Sequence, residues 1–209
     1  MLNILKTASR AKMLASMDIY KKNKDKQWCK DLCRHLFLSY DTVENRILQA
    51  FQFVTPTHEN RYSYSHTFSS ILRDSGSAFD SIMRKLVEKT GNKSKYKDDI
   101  IGHLDFLKDI ETNLEKCSLH LRYNLKTILP FERDLNSSPL WWRAYNAVKH
   151  DDVQRHTEGN LENALKSVAA LAIIRLMICG DINTRIFVNI GIIYPESDPS
   201  ISIQNRLFP

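Results

Sequence analysis

The sequence predicts a mainly α protein, an up-down bundle of several helices carrying one small two-stranded β element. Three observations point there. Apolar residues recur three, four and seven positions apart through most of residues 1–180. That period changes to two over residues 118–126. A run rich in β-branched residues over 186–194 then offers a second strand to pair with the first.

Taken in order, Ile4, Leu5, Ala8, Ala11, Leu14 and Met17 mark one face of a helix over residues 1–20. The charged stretch Lys21–Lys26 breaks it, and Trp28, Leu32, Leu36 and Tyr40 then step by four in a second helix. Asp41 and Glu44 fit a capping box opening a third, with Val43, Ile47, Leu48, Phe51 and Val54 facing the core and Pro56 ending it. After a polar loop, Phe68, Ile71, Leu72, Phe79, Ile82, Met83 and Leu86 form a long stripe. Ser75, Gly76 and Ser77 thin this stripe midway, which allows either a close helix crossing or a kink. Gly91 closes that helix, and Asp98 or Asp99 caps the next, which carries Ile101, Leu104, Leu107, Ile110 and Leu114.

In the first strand Leu119, Leu121, Tyr123 and Leu125 alternate with His120, Arg122, Asn124 and Lys126, one face buried and one wet. Pro139 suits the first turn of a helix ending at His150, with Ser137 or Ser138 as its cap. Thr157 starts the most apolar helix, through Leu161, Ala164, Leu165, Val168, Leu171, Ala172 and Leu176 to Gly180, the candidate for the centre of the core. From Pro195 an extended tail is expected.

A length of 209 residues suits one domain with appendages. The divisions expected are a basic N-terminal helical extension over 1–40, a helical bundle over 41–180, and a strand with an extended tail over 181–209. No apolar run approaches the roughly 18–20 residues of a membrane span. The start is too weakly apolar for a signal peptide, so a cytoplasmic location is expected. Cys29, Cys33, Cys117 and Cys179 complete no zinc spacing and are expected as free thiols. No metal and no cofactor is implied. The net charge is +6. Residues 1–35 hold nine Lys/Arg and three Asp, a surplus of six, so the remainder is neutral. A basic end of this kind is either a handle for nucleic acid or a solvated face.

The densest chemistry lies in Pro139–His150, where two tryptophans, a tyrosine, an arginine, an asparagine, a lysine and a histidine share twelve positions. As a helix it sorts into an apolar arc of Leu140, Trp141, Ala144, Tyr145 and Val148 and a polar stripe of Arg143, Asn146 and His150. Arg143 and His150 stand two turns apart, roughly 10 Å along the axis. The stripe thus joins a permanent cation to the side chain that exchanges protons most readily near neutral pH. Such a pair can hold a phosphodiester and move a proton.

Four segments in order carry a resemblance. They are Phe51–Ser65, Ile71–Lys85, Leu129-Pro-Phe131, and Trp141-Trp-Arg-Ala-Tyr-Asn-Ala-Val-Lys-His150 with Asn160-Leu-Glu-Asn-Ala-Leu. Together they resemble the HEPN superfamily of helical proteins, whose signature is an Arg, four to six residues, then a His; here six lie between Arg143 and His150. The position after the Arg, often polar in family nucleases, is Ala144, and Asn146 on the same stripe takes its place. The resemblance implies a dimeric, metal-independent endoribonuclease in a toxin or phage-defence setting, with an antitoxin or operon partner. Arg143, His150 and Asn146 are then the expected catalytic residues, and Lys149 and Tyr145 the expected substrate contacts. Two other readings compete: a non-catalytic helical dimer or interaction scaffold, and a nucleic-acid binder using the basic N-terminus.

Overall fold

The computed structural model describes residues 18–122, 127–133, 137–151, 153–180 and 184–192. The fold is mainly α. Its helices are α1 (Asp18–Asn23), α2 (Gln27–Ala50), α3 (His66–Lys89), α4 (Ile100–Ile110), α5 (Leu140–His150) and α6 (Leu161–Cys179). Short 3-10 turns occupy Leu114–Lys116 and His156–Glu158. The strands β1 (Cys117–Leu121) and β2 (Phe187–Ile192) pair antiparallel, Leu119 opposite Ile190, with an irregularity between His120 and Leu121. None of the described helices is long and apolar enough to cross a membrane.

Helices α2, α3 and α6 pack on one another, and α5 lies against α3 and α6. The apolar helix α6 is the centre, as expected: Leu161, Ala164, Leu165, Val168, Leu171 and Ala172 are all buried, and Gly180 ends it with a φ of 71°. All seven stripe residues of α3, from Phe68 to Leu86, are buried too. Its small residues mark a close crossing. A Cβ on Gly76 would stand 2.5 Å from the Tyr145 ring. Ser75 donates back to the Ile71 carbonyl at 2.6 Å and meets the Ser167 hydroxyl of α6 at 2.6 Å. Ser65 caps α3 by accepting from the Phe68 amide, and Asp99 caps α4 by accepting from Gly102.

The structure differs from the sequence reading at several element ends. Residues 27–50 form one helix, not two. Asp41 accepts from the Asn45 side chain within α2, and Glu44 is buried in it, so neither caps a helix. A domain border at residue 40/41 therefore cuts through a continuous helix whose Leu36, Tyr40, Val43 and Ile47 share one core. The start of α6 is Asn160, whose side chain accepts from the Asn163 amide, rather than Thr157, which lies in the preceding 3-10 turn. Pro139 is the residue before α5 and itself holds the N-cap position expected of Ser137 or Ser138. The expected helix over 1–20 is described only from Asp18, while Tyr123–Lys126 and the tail beyond Ile192 lie outside the described residues.

The cysteine expectation is corrected. Cys33 on α2 and Cys179 at the end of α6 are joined as a disulfide, their Cα atoms 5.6 Å apart. The packing of α2 on the C-terminal turn of α6 brings them together, and 146 residues of separation hide that from any spacing rule. Cys29 and Cys117 are free and buried.

Candidate functional site

Helix α5 is held by its aromatic face. Trp141 is fully buried and donates its indole N–H to the Pro130 carbonyl at 2.6 Å. Phe79 of α3 meets the rings of Trp141 and Trp142 edge-on, with centroids 5.5 and 6.0 Å away. Tyr145 follows one turn later, 4.9 Å from Trp142, in the gap that Gly76 leaves. Trp142 is thus on the buried side, whereas Leu140, expected there, is 57% exposed. A helix anchored this firmly fixes the direction of whatever stands on its other face.

That other face borders an open groove of about 730 Å³, a size within the roughly 300–1,000 Å³ of small-ligand clefts. Arg143, Ala144, Ala147 and His150 of α5 form one wall, and Asn163 and Lys166 of α6 face them. Arg155 and Glu158 of the connecting segment, Glu162, and Tyr62 of the loop before α3 also contribute. The small side chains of Ala144 and Ala147 leave room for the groove between Arg143 and His150. Both of these residues are exposed, and no described side chain pairs with the guanidinium or the imidazole.

The charges are balanced in number but not in availability. Arg143, Arg155 and Lys166 face Asp151, Glu158 and Glu162. Lys166 is bound to Glu162 at 3.0 Å, and Glu162 also lies 3.9 Å from Arg61. Asp151 accepts from the Gln154 amide at 3.1 Å. A phosphate entering the groove would therefore meet two guanidiniums that no described side chain engages, rather than a broad positive field. Among the described residues, no three His, Cys, Asp or Glu side chains gather as a metal ion would require.

The other expected site residues fall elsewhere. Asn146 is half-buried and does not line the groove. Lys149 is exposed and lays its ammonium over the Tyr145 ring at 5.3 Å, also outside the groove. Tyr145 is 3% exposed, so the expectation that it touches substrate is corrected: its ring is the wedge that seats α5 on Gly76. At the basic N-terminal end Lys21, Lys22, Lys24, Lys26, Lys30 and Arg34 are exposed, while Lys6, Arg10 and Lys12 lie outside the described residues.

Arg155 follows His150 by only five residues, whereas Tyr62 joins the site from about eighty residues before Arg143; neither was singled out in sequence. The tie is backbone pairing. The first amides of a helix have no partner within it. Here Leu161 donates to the Ser63 carbonyl and Glu162 to the Arg61 carbonyl, each at 2.9 Å. Residues 61–65 are thereby clipped to the start of α6. Comparison with protein-family models, with curated proteins and with solved structures finds no match for this chain.

Proposed function

We propose that this protein is a metal-independent endoribonuclease of the HEPN type, acting in a toxin or phage-defence setting with a cognate partner. The observation that carries the reading is Arg143 and His150 lining one open groove, neither engaged by another described side chain. The Arg-x6-His spacing and the four ordered segments that resemble the family support it.

In this reading the Arg143 guanidinium binds the phosphodiester by its planar fork and stabilises charge growing on the non-bridging oxygens. His150 accepts the proton of the adjacent ribose 2′-hydroxyl. The 2′-oxygen forms a bond to phosphorus as the bond to the 5′-oxygen breaks, which leaves a 2′,3′-cyclic phosphate and a 5′-hydroxyl. The departing 5′-oxygen needs a proton from a second acid, since one imidazole cannot accept and donate at once. In a homodimer the facing copy would supply it from its own His150.

The test is cleavage of a mixed RNA in the presence of a chelator. Wild-type protein is expected to leave cyclic-phosphate ends, and the His150→Ala variant to leave the RNA intact. Equal cutting by both discards the catalytic assignment. An intact substrate with both favours the non-catalytic scaffold, a reading supported by the placing of Asn146 and Tyr145 outside the groove.

A further inference from the structure

We infer that Tyr62 is the stacking platform for an unpaired nucleobase, so that the groove takes single-stranded rather than duplex RNA. The inference rests on the endoribonuclease reading and names the substrate form that reading leaves open.

Tyr62 is 61% exposed, and covering the apolar surface of its ring would be favourable. The residue is nevertheless tied in place. The Arg61 guanidinium lies over the ring, 4.4 Å from its centroid. Arg61 is in turn placed by the His58 imidazole at 3.3 Å and by Glu162. On either side of Tyr62 the backbone is bonded to the α6 start, through Arg61 to Glu162 and through Ser63 to Leu161. Two residues on, the Ser65 amide donates to the Gly159 carbonyl at 3.2 Å, and Tyr64 packs edge-on against His156 with centroids 5.0 Å apart. A floppy loop would not need so many ties.

The ring lines the same groove as Arg143 and His150. One nucleotide supplies the groups these three side chains suit: a flat base for the tyrosine, a phosphate for the arginine, and a ribose hydroxyl for the imidazole. A base inside a duplex has both faces covered by its neighbours and cannot offer one to a protein ring, so the platform selects unpaired strands. Stacking on a π-face tolerates any base and strengthens with the larger purine surface. Arg61, a cation on the same ring, adds to the attraction.

The experiment uses the full chain carrying His150→Ala, so that bound RNA is not cut, and follows anisotropy of labelled probes. The probes are a short oligoadenylate, an oligouridylate of the same length, and a duplex. The expected order is oligoadenylate tighter than oligouridylate, with the duplex weakest. Adding Tyr62→Ala is expected to weaken oligoadenylate binding by roughly tenfold or more. Tyr62→Phe, which keeps the ring, is expected to restore it. Circular dichroism of the exposed-site variants checks that the fold is kept. Equal binding with and without the ring, or a preference for duplex, overturns the platform and leaves the endoribonuclease reading standing. Absence of RNA binding in every variant, together with RNA left intact by wild type, overturns both.

Discussion

Glu44 and Arg143 stand on helices of one bundle, and their surroundings are opposite. Glu44 is 2% exposed and saturated. Its carboxylate accepts from the Tyr40 hydroxyl at 3.0 Å, the Thr184 hydroxyl at 2.6 Å, the Arg185 amide at 2.7 Å and the Arg185 guanidinium at 3.1 Å. The Ile186 amide adds a fifth bond at 3.2 Å. This knot ties the segment before β2 to α2. The guanidinium of Arg143 is exposed and meets no described side chain. A buried charge is retained only where the fold satisfies it. An exposed charge on an anchored helix, engaged by no described side chain, is available to a ligand. The contrast separates groups that hold the protein together from groups it can use, and each half of it can be attacked.

The largest effect is expected at the knot. Glu44→Ala leaves the Arg185 amide and the Thr184 hydroxyl without this acceptor and takes one of its two from the Ile186 amide. Removing one side of a buried charged network costs about 3 kcal/mol or more. For a chain of this size that lowers the melting temperature by about 6–12 °C, read by thermal unfolding. A variant that melts with wild type would show that the knot is ornamental and that satisfaction does not mark a structural role here.

The two halves were not equally legible in sequence. Period alone placed the core stripes of α3 and α6, because a residue that must face inward recurs with the helix turn. The paired strands were legible from two other local signals, a change of period at β1 and β-branching at β2, although Ser118 is buried between Cys117 and Leu119 and breaks the expected alternation. The groove was half legible: Arg143 and His150 share a stripe by arithmetic, but Tyr62 reaches them only through backbone bonds across about a hundred residues. The Glu44 knot was misread as a capping box for the same reason. Apart from Tyr40 one turn earlier, its donors come from residues 184–186, and nothing near residue 44 announces those. A residue like Tyr145, on the edge of an apolar arc, can turn either way, and Gly76 on another helix decides that its ring faces inward.

His103 is 1% exposed, like Glu44, but neither ring nitrogen has a hydrogen-bond partner. Asp80 and Asp98 stand 3.8 and 3.7 Å away, both engaged by Arg84. Burial holds the imidazole below its ordinary value of 6.5 against the pull of Asp80, and Arg84 deepens the depression while Asp98 and Asp99 oppose it. A depressed base binds fewer protons folded than unfolded between its two pKa values. The stability it contributes is therefore present above pH 6.5 and is lost as pH falls through the folded value. For Glu44, burial raises the pKa, but the bonds from Thr184, Arg185 and Tyr40 outweigh it and hold the carboxyl below 4.5. Its stability is present above pH 4.5 and is lost as pH falls through the lower folded value. Denaturant midpoints are expected to fall in two separate legs. His103→Leu should flatten the upper leg and leave the lower one. An upper leg unchanged in that variant would assign the loss to other groups.

The smallest expected effect is at the groove, and it is the sharpest test of the contrast. Arg143→Ala and His150→Ala remove charged or polar side chains that touch no described partner, so each should change stability by no more than about 0.5 kcal/mol. Chemical denaturation of both variants beside wild type measures this directly. Near-neutral stability together with lost RNA cleavage is the signature of residues reserved for a ligand. A loss of 2 kcal/mol or so from either substitution, a size that marks a buried or networked group, would mean that these side chains hold the bundle after all, and the scaffold reading would then account for them better than the enzyme does.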